Sequence, residues 1–418
     1  MKKALRPIVV KFGVLGVLVA TTAVSFGAGF QLYTEGSTEA LGQGGAISAR
    51  RDMLSNAWYN PASMTGFARP ALMIGGTLVN LSARYDDTTA GLDADMESHW
   101  HLLPHVFYVH PINEDWSYTA SLTVPYGLAT EWEDDWLGNA LAIETEIQAV
   151  YFTQALSYAV DERLSVAAGF NVVKADFFSK RIVAGTTSDM ELNADDYGFG
   201  FVLGLNYTLN DEWGVALKYQ SEVDLSLEGD VSFATGYPAL PTDDQAGGDV
   251  TLPSNITLGF TNTSIENLTL GFDVVWTDWD KYEVFDIDFD DPTYEASTYG
   301  QPVDKDWDEC FSFRLGAEYQ LNENWCVRGG YVFDQSPVDP DTVSPELPGN
   351  DRHMVMLGAG YKSEKWAVDL AYSYLFMRDS DVSDMTSSNT LGAVGLDPDG
   401  EYTDGQAHLI GVSFSYFF

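Results

Sequence analysis

Alternation with a period of two runs through much of the chain. In "WAVDLAYSYLF" (366–376), Trp366, Val368, Leu370, Tyr372, Tyr374 and Phe376 fall on one side. Ala367, Asp369, Ala371 and Ser373 fall on the other. "WGVALKYQ" sets Trp213, Val215, Leu217 and Tyr219 against Lys218 and Gln220, and "LTLGFDVVW" sets Leu268, Leu270, Phe272, Val274 and Trp276 against Thr269, Gly271 and Asp273. "FSFRLGAEY" repeats the pattern, with Phe311, Phe313, Leu315, Ala317 and Tyr319 opposite Ser312, Arg314 and Glu318. Successive side chains of a strand point to opposite faces, so each segment predicts a strand with one apolar and one small or polar face. Recurring along the chain, the pattern is that of a lipid-facing barrel wall, apolar outside and polar inside.

The connections alternate short and long. Tight turns are expected at Asn113-Glu114, Asp161-Glu162, Asn210-Asp211, Ile265-Glu266, Asn322-Glu323 and Ser363-Glu364. Long polar stretches separate the hairpins at 86–99, 127–145, 179–193, 229–250, 289–307, 335–352 and 379–404. Short turns on one side and long loops on the other are what an outer-membrane barrel requires, and the segmentation gives about fourteen strands, an even number. A propeller also repeats strands, but in units of four and without such apolar outer faces. The chain ends in "HLIGVSFSYFF", with His408, Ile410, Val412, Phe414, Tyr416 and Phe418 on one face. This closing strand resembles the recognition signal of the outer-membrane barrel assembly machinery.

Two regions escape the pattern. Residues 1–27 combine Lys2, Lys3, Arg6 and Lys11 with an apolar run from Phe12 to Ala20 and small residues up to Gly27. That is an export signal, too short for a spanning helix. The second region, 28–70, holds Gly36, Gly42, Gly44, Gly45 and Gly66, too many glycines for a wall strand. With 71–418 forming the wall, 28–70 is expected to fold upward as a plug, because a polar lumen of this width needs filling. Within it, "AWYNPASMTGF" places Asn60-Pro61-Ala62 between Trp58, Tyr59 and Phe67. Pro61 fixes the backbone, and Asn60 is suited to hydrogen-bond turn or wall backbone.

Composition sharpens this picture. Aromatics make up 13% of the 418 residues, as befits strands with aromatic girdles. The 62 acidic and 21 basic side chains leave a net charge of −41, which argues against nucleic acid as a partner and is read as solvation of exposed loops. His99, His101, His105, His110, His353 and His408 form no nucleophile elbow or metal-binding helix pattern, so neither catalysis, cofactor nor metal is expected. "HWH" at 99–101 reads as a loop-to-strand junction. In a hairpin turning at Asn322-Glu323, Cys326 lies near Tyr319 while Cys310 lies about nine residues farther along, roughly 30 Å away. A disulfide spans only about 4.4–6.8 Å between Cα atoms, so two free thiols are expected.

Ala28-Gly29-Phe30-Gln31-Leu32, Asn60-Pro61-Ala62, "VPYGLATEW" at 124–132 and "DQSPV" at 334–338 together resemble the FadL family, the long-chain fatty acid and hydrocarbon transporters of Gram-negative outer membranes. The resemblance implies an all-β, monomeric barrel of fourteen strands with an N-terminal hatch, embedded among outer-membrane lipid and lipopolysaccharide. It implies passive uptake: capture among outer loops, transfer to a pocket beside Phe30, and release sideways at a kinked third strand. Here that strand is expected over Trp116–Tyr126, with Pro125 and Gly127 as the gate, since proline lacks a ladder donor and glycine weakens pairing. Leu128, Trp132, Trp136, Leu137, Leu141 and Ile143 are candidates for the capture groove. Inward parity points to Lys218, Arg314 and Arg328 as partners for a carboxylate. Acidic loops repel such a head, which keeps a neutral alkane or aromatic hydrocarbon open as ligand. An open general porin and an outer-membrane lipase are the rival readings.

Overall fold

The computed structural model describes residues 29–88, 91–183, 188–234, 242–295, 302–339, 342–382 and 400–418. The expected export signal lies outside the described residues, as do parts of the expected long loops.

Fourteen antiparallel wall strands are present among the described residues. The first six are β1 (Ala71–Asp87), β2 (Trp100–Pro111), β3 (Trp116–Glu131), β4 (Glu144–Ala159), β5 (Leu164–Ile182) and β6 (Asp189–Thr208). β7 runs in two pieces, Trp213–Gln220 and Val223–Phe233, and so does β8, Asp243–Leu252 and Asn255–Ile265. The last six are β9 (Leu268–Thr277), β10 (Cys310–Gln320), β11 (Trp325–Asp334), β12 (Arg352–Lys362), β13 (Trp366–Met377) and β14 (Gly400–Phe417). β14 pairs with β1 from Phe417–Ala71 to Gly400–Asp87, and this closes the sheet into a barrel with no free edge.

Four of the tight turns share one device. Asn113 Oδ1 accepts from the amides of Asp115 and Trp116, and Asp161 Oδ1 from those of Arg163 and Leu164. Asn210 and Asn322 repeat the arrangement before Trp213 and Trp325. A short Asx side chain replaces the backbone acceptor of a tight turn, which is why these positions are legible from sequence.

Several strands are longer than the alternation suggests. β3 continues past Pro125 to Glu131 instead of ending at Tyr126, and β5 to β8 extend well into the stretches read as loops. These extensions carry Asp189, Glu191, Asp195, Glu228 and Asp230 on their outer face and bury Met190, Leu192, Val231 and Phe233 on the inner one, and they are still laddered. Beyond lipid the outer face meets water, so the polarity of the alternation inverts and a search for apolar outer faces passes these extensions over. The β10–β11 register pairs Gln320, not Tyr319, with Cys326. Both cysteines are buried free thiols, with Cys310 opposite Thr277 at the far end of β10.

Residues 29–64 are almost wholly buried inside the barrel. This hatch contains two one-turn helices, α1 (Thr38–Leu41) and α2 (Asn56–Tyr59), and two 3-10 turns, Thr34–Gly36 and Pro61–Gly66. Ser37 caps α1 by accepting from the Ala40 amide at 3.1 Å. Asn60 caps the second 3-10 turn, accepting from the Ala62 amide at 3.2 Å, with Pro61 in its first position. The Asn60 amide donates to Ser48 O and to the wall carbonyl of Leu205. Ser157 and Ser165 donate to the carbonyls of Pro61 and Ala62. The Asn-Pro-Ala turn is thus a rivet between the hatch and β4, β5 and β6.

Candidate functional site

Two features of the interior bear on transport: a cavity near the first hatch residues and a parting of the wall beside it.

The parting lies between β2 and β3. Their ladder runs only from Pro111–Ser117 to Val106–Leu122, although β2 stays paired with β1 as far as Trp100 and β3 with β4 as far as Glu131. At the same level the β3–β4 register shifts between Thr123 and Tyr126, a β-bulge that accommodates Pro125. Above it β3 bends inward, and Thr123 to Thr130 are all buried, where a wall strand elsewhere alternates. The hatch takes the place of β2 there. Leu32 N donates to Pro125 O at 2.7 Å, and Gly127 N donates to Phe30 O at 2.8 Å. Pro125 and Gly127 thus flank the point where the first hatch residues add a short strand to the wall. Pro125 sits inside β3, not at its end.

That pairing holds Phe30 within an aromatic cage. Its ring lies 4.8 Å from Trp279, 6.0 Å from Trp307 and 6.1 Å from both Tyr126 and Tyr282. Gly29 makes the entry possible: its φ is +62°, and a Cβ would stand 2.5 Å from the Trp279 ring. Next to the cage is a cavity of about 80 Å³, lined by Phe30, Leu128, Ile147, Phe177, Tyr282, Phe285, Ile287, Trp307 and Leu347 among others. Arg181, Lys305 and Glu346 are the charged groups on this lining. Lys305 Nζ lies 3.4 Å from Glu346 and 3.3 Å from the Ser344 hydroxyl. Burial opposes ionisation of Glu346, but Lys305, Ser344 and Arg181 outweigh it and hold the carboxyl below its ordinary range. Sequence reasoning missed Arg181 and Lys305, which lie at the end of β5 and in a loop where parity gives no direction.

The three expected cations are placed elsewhere. Arg328 bridges Glu318 at 2.7 Å and Asp369 at 2.5 Å. The Arg314 guanidinium lies 3.7 Å above the Tyr33 ring, and Lys218 Nζ lies 4.2 Å above the Trp58 ring. All three face the hatch, and none lines the cavity. Asp369, Glu318 and Asp273 are inward charges of the same region, and Asp273 accepts from the Ser48 amide. Arg50 of the hatch bridges Glu318 at 2.8 Å.

The expected capture residues are also engaged. Trp132 stacks on Trp136 at 4.8 Å, and both join Tyr85 and Tyr402 in a buried aromatic cluster. Trp132 Nε1 donates to Pro345 O, joining the loop after β3 to the loop that carries Glu346. Leu137 and Leu141 pack against this cluster, while Leu128 lines the cavity. Of the expected ligand contacts, then, the structure brings Phe30 and Leu128 to one cavity and leaves Trp132 and Trp136 outside its lining, packed with Tyr85 and Tyr402. His99, exposed at the outer rim, lies 3.2 Å from Glu131 and 3.5 Å from Glu97; His101 is in β2.

A closed fourteen-stranded barrel with an internal hatch and an apolar cavity defines an outer-membrane channel for hydrophobic compounds. The chain belongs to the outer membrane protein transport family (OMPP1/FadL/TodX), whose model matches residues 16–418. It is 27% identical to the long-chain fatty acid transport protein of Salmonella typhi, over 97% of this chain and 98% of that one. Identity to the Escherichia coli K12 protein of the same name is 26%, over 96% of each. Among solved structures, a Pseudomonas aeruginosa FadL homologue superposes with a TM-score of 0.80 at 20% identity, covering 93% of this chain and 99% of that one. The Pseudomonas putida toluene transporter TodX superposes with a TM-score of 0.73 at 17% identity, covering 92% and 99%. The protein is therefore a multi-pass barrel of the Gram-negative outer membrane and a transport channel, not an enzyme; its short turns face the periplasm.

Proposed function

We propose that this channel selects for apolar bulk, not for a charged head, so that it admits neutral hydrocarbons as well as long-chain fatty acids. The cavity carries the proposal: aromatic and aliphatic side chains dominate its lining, and Lys305 already has Glu346 as its counter-ion. Outside, the net charge of −41 disfavours the approach of a carboxylate at low salt. The toluene transporter among the structural neighbours and the fatty acid transporters among the sequence relatives are both consistent with this breadth.

In this reading the ligand enters through the outer loops and rests beside Phe30. It leaves sideways where β2 and β3 part, once Phe30–Leu32 release Pro125 and Gly127. Leaving through the wall keeps the tail out of water. Each buried CH₂ is worth roughly 0.8 kcal/mol, so a sixteen-carbon chain released into the periplasm would face on the order of 12 kcal/mol. No energy source is needed, because the ligand runs down its gradient. Fatty acids are the second reading, favoured by Arg181 and Lys305 on the cavity lining. Competition binding to the purified protein tests the pair. Toluene or hexadecane displacing a bound fluorescent fatty acid supports selection by apolar bulk; displacement by carboxylated chains alone contradicts it.

A further inference from the structure

We propose that His105 is a receiving site for the oxygen head of an amphipathic ligand as it crosses the wall, a role that rests on the passive-uptake reading above. The β2–β3 ladder stops at Val106–Leu122, so His105 and Thr123 are the first inward-facing residues past the parting. His105 is only 1% exposed, and neither of its ring nitrogens has a hydrogen-bond partner among the described residues.

Its neighbours share this condition. On β3 the hydroxyls of Ser121 and Thr123 are buried without a partner, and so is the hydroxyl of Ser413 on β14. Gly75 stands opposite both His105 and Ser413 in the two ladders, and a Cβ there would overlap His105 Nε2 and crowd Ser413. The missing side chain makes room for the imidazole on the inner face of the wall. Buried polar groups are nearly always satisfied, by protein or by water. Ser121 and Thr123 lie on the β3 bank of the gap and His105 on the β2 bank, its ring turned over Gly75 towards Ser413; this row of groups without partners among the described residues runs inward from the gap and marks a place built to hold a mobile polar group.

A neutral imidazole offers one N–H donor and one acceptor, and a hydroxyl offers both. A carboxylic acid or an alcohol answers that pattern with its own donor and acceptor. A hydrocarbon offers neither. The site therefore lowers the barrier for ligands carrying an oxygen head and leaves hydrocarbons unaffected. Apolar selection at the cavity and head recognition at the gap act in sequence on different parts of the ligand.

The test uses cells that lack other such transporters and express the full chain, with heat-modifiability confirming an assembled barrel. Uptake of palmitic acid and of toluene is measured for wild type, His105→Leu and His105→Asn. Losing one buried hydrogen-bonded partner predicts that His105→Leu lowers palmitic acid uptake about tenfold. Asn keeps a donor and an acceptor and restores most of that uptake, while toluene uptake is unchanged in both variants. Equal loss of both substrates in His105→Leu would overturn the proposal, because it would show a packing role. Unchanged palmitic acid uptake would also overturn it. A wild type that takes up palmitic acid and no toluene would count against breadth at the cavity, and the acid arm with its Asn rescue would still judge His105.

Discussion

The hatch meets the barrel in two different ways. From β4 round to β13 the wall presents hydrogen-bonding groups, glycines and charges to the hatch. A Cβ at Gly330 would stand 2.6 Å from Gln43, and one at Gly204 on β6 would stand 2.5 Å from Asn60; Gly271 and Gly316 approach the carbonyls of Ala46 and Gln43 more closely still. Gly271, Gly316 and Gly330 oppose one another across β9, β10 and β11, so the hatch lies against bare backbone. Arg50 of the hatch pairs with Glu318 of the wall, and Arg328 extends that ion pair along the wall to Asp369. Along β2 and β3 the wall instead lacks part of its own ladder, borrows Phe30–Leu32 to fill it, and leaves the polar side-chain atoms of His105, Ser121 and Thr123 without a hydrogen-bond partner among the described residues. One side holds the hatch in place; the other is where the wall is least committed. A plug that must stay seated while ligand passes beside it needs both.

Removing the hatch abolishes the contrast altogether and has the largest expected effect. Deletion of residues 29–70 should leave an assembled barrel whose single-channel conductance rises from nearly closed to porin-like in planar bilayers. Equal conductance before and after deletion would mean that the hatch does not occlude the lumen. Disturbing only the holding side comes next. Gly316→Val pushes a side chain into Gln43, and overpacking of this kind costs about 1–3 kcal/mol. Faster hydrogen exchange across residues 38–64, with wall amides unchanged, is the expected readout. Asn60→Ala removes the cap on Ala62 and the bonds to Ser48 and Leu205. About 1–3 kcal/mol of hatch anchoring should go with them, read as increased exchange in the Pro61–Gly66 turn.

The smallest effect is one of pH. Burial, with Asp369 nearby, pushes the Glu39 carboxyl up from 4.5 to about 7, against the opposing pull of Arg328 and the Ser55 hydrogen bonds. Between those values the folded hatch binds more protons than the unfolded one. The contribution of Glu39 to hatch stability is therefore fully present below pH 4.5 and is lost as pH rises towards about 7. Glu39→Gln should flatten that slope in denaturation of the hatch followed at several pH values.

Much of the holding side was legible in the sequence, and little of the yielding side was. Alternation located the wall because lipid forces an apolar face at every second residue, and Asn113, Asp161, Asn210 and Asn322 located the turns because a side-chain acceptor is needed there. Asn60 and Pro61 were readable as a rivet for the same local reason. Inward parity correctly turned Lys218, Arg314 and Arg328 into the lumen, but parity carries no information about what fills it, and the hatch claims all three. Glycines 271, 316 and 330 were visible as residues, yet only the register shows them aligned under the hatch. The end of the β2–β3 ladder has only a faint local signal, two prolines that lack a ladder donor, Pro104 on β2 and Pro125 on β3. Pro125 marks the bulge on β3, and on β2 the segment "WHLLPHVFYVHP" carries apolar residues on both faces and Pro104 two residues past the last ladder pair.

The central claim is that ligand leaves through the parting of β2 and β3 while the opposite side holds the hatch. It is tested most directly by closing the parting. Pro104 and Val124 would face each other if the Val106–Leu122 ladder continued, so Pro104→Cys with Val124→Cys, in a chain with Cys310→Ser and Cys326→Ser, stitches the two strands. Once mass analysis verifies the cross-link, uptake of a hydrophobic ligand should be blocked in the oxidised barrel, retained binding should show an intact cavity, and reduction should restore uptake. Undiminished uptake by the verified, oxidised barrel would contradict lateral exit and send the ligand through the hatch instead.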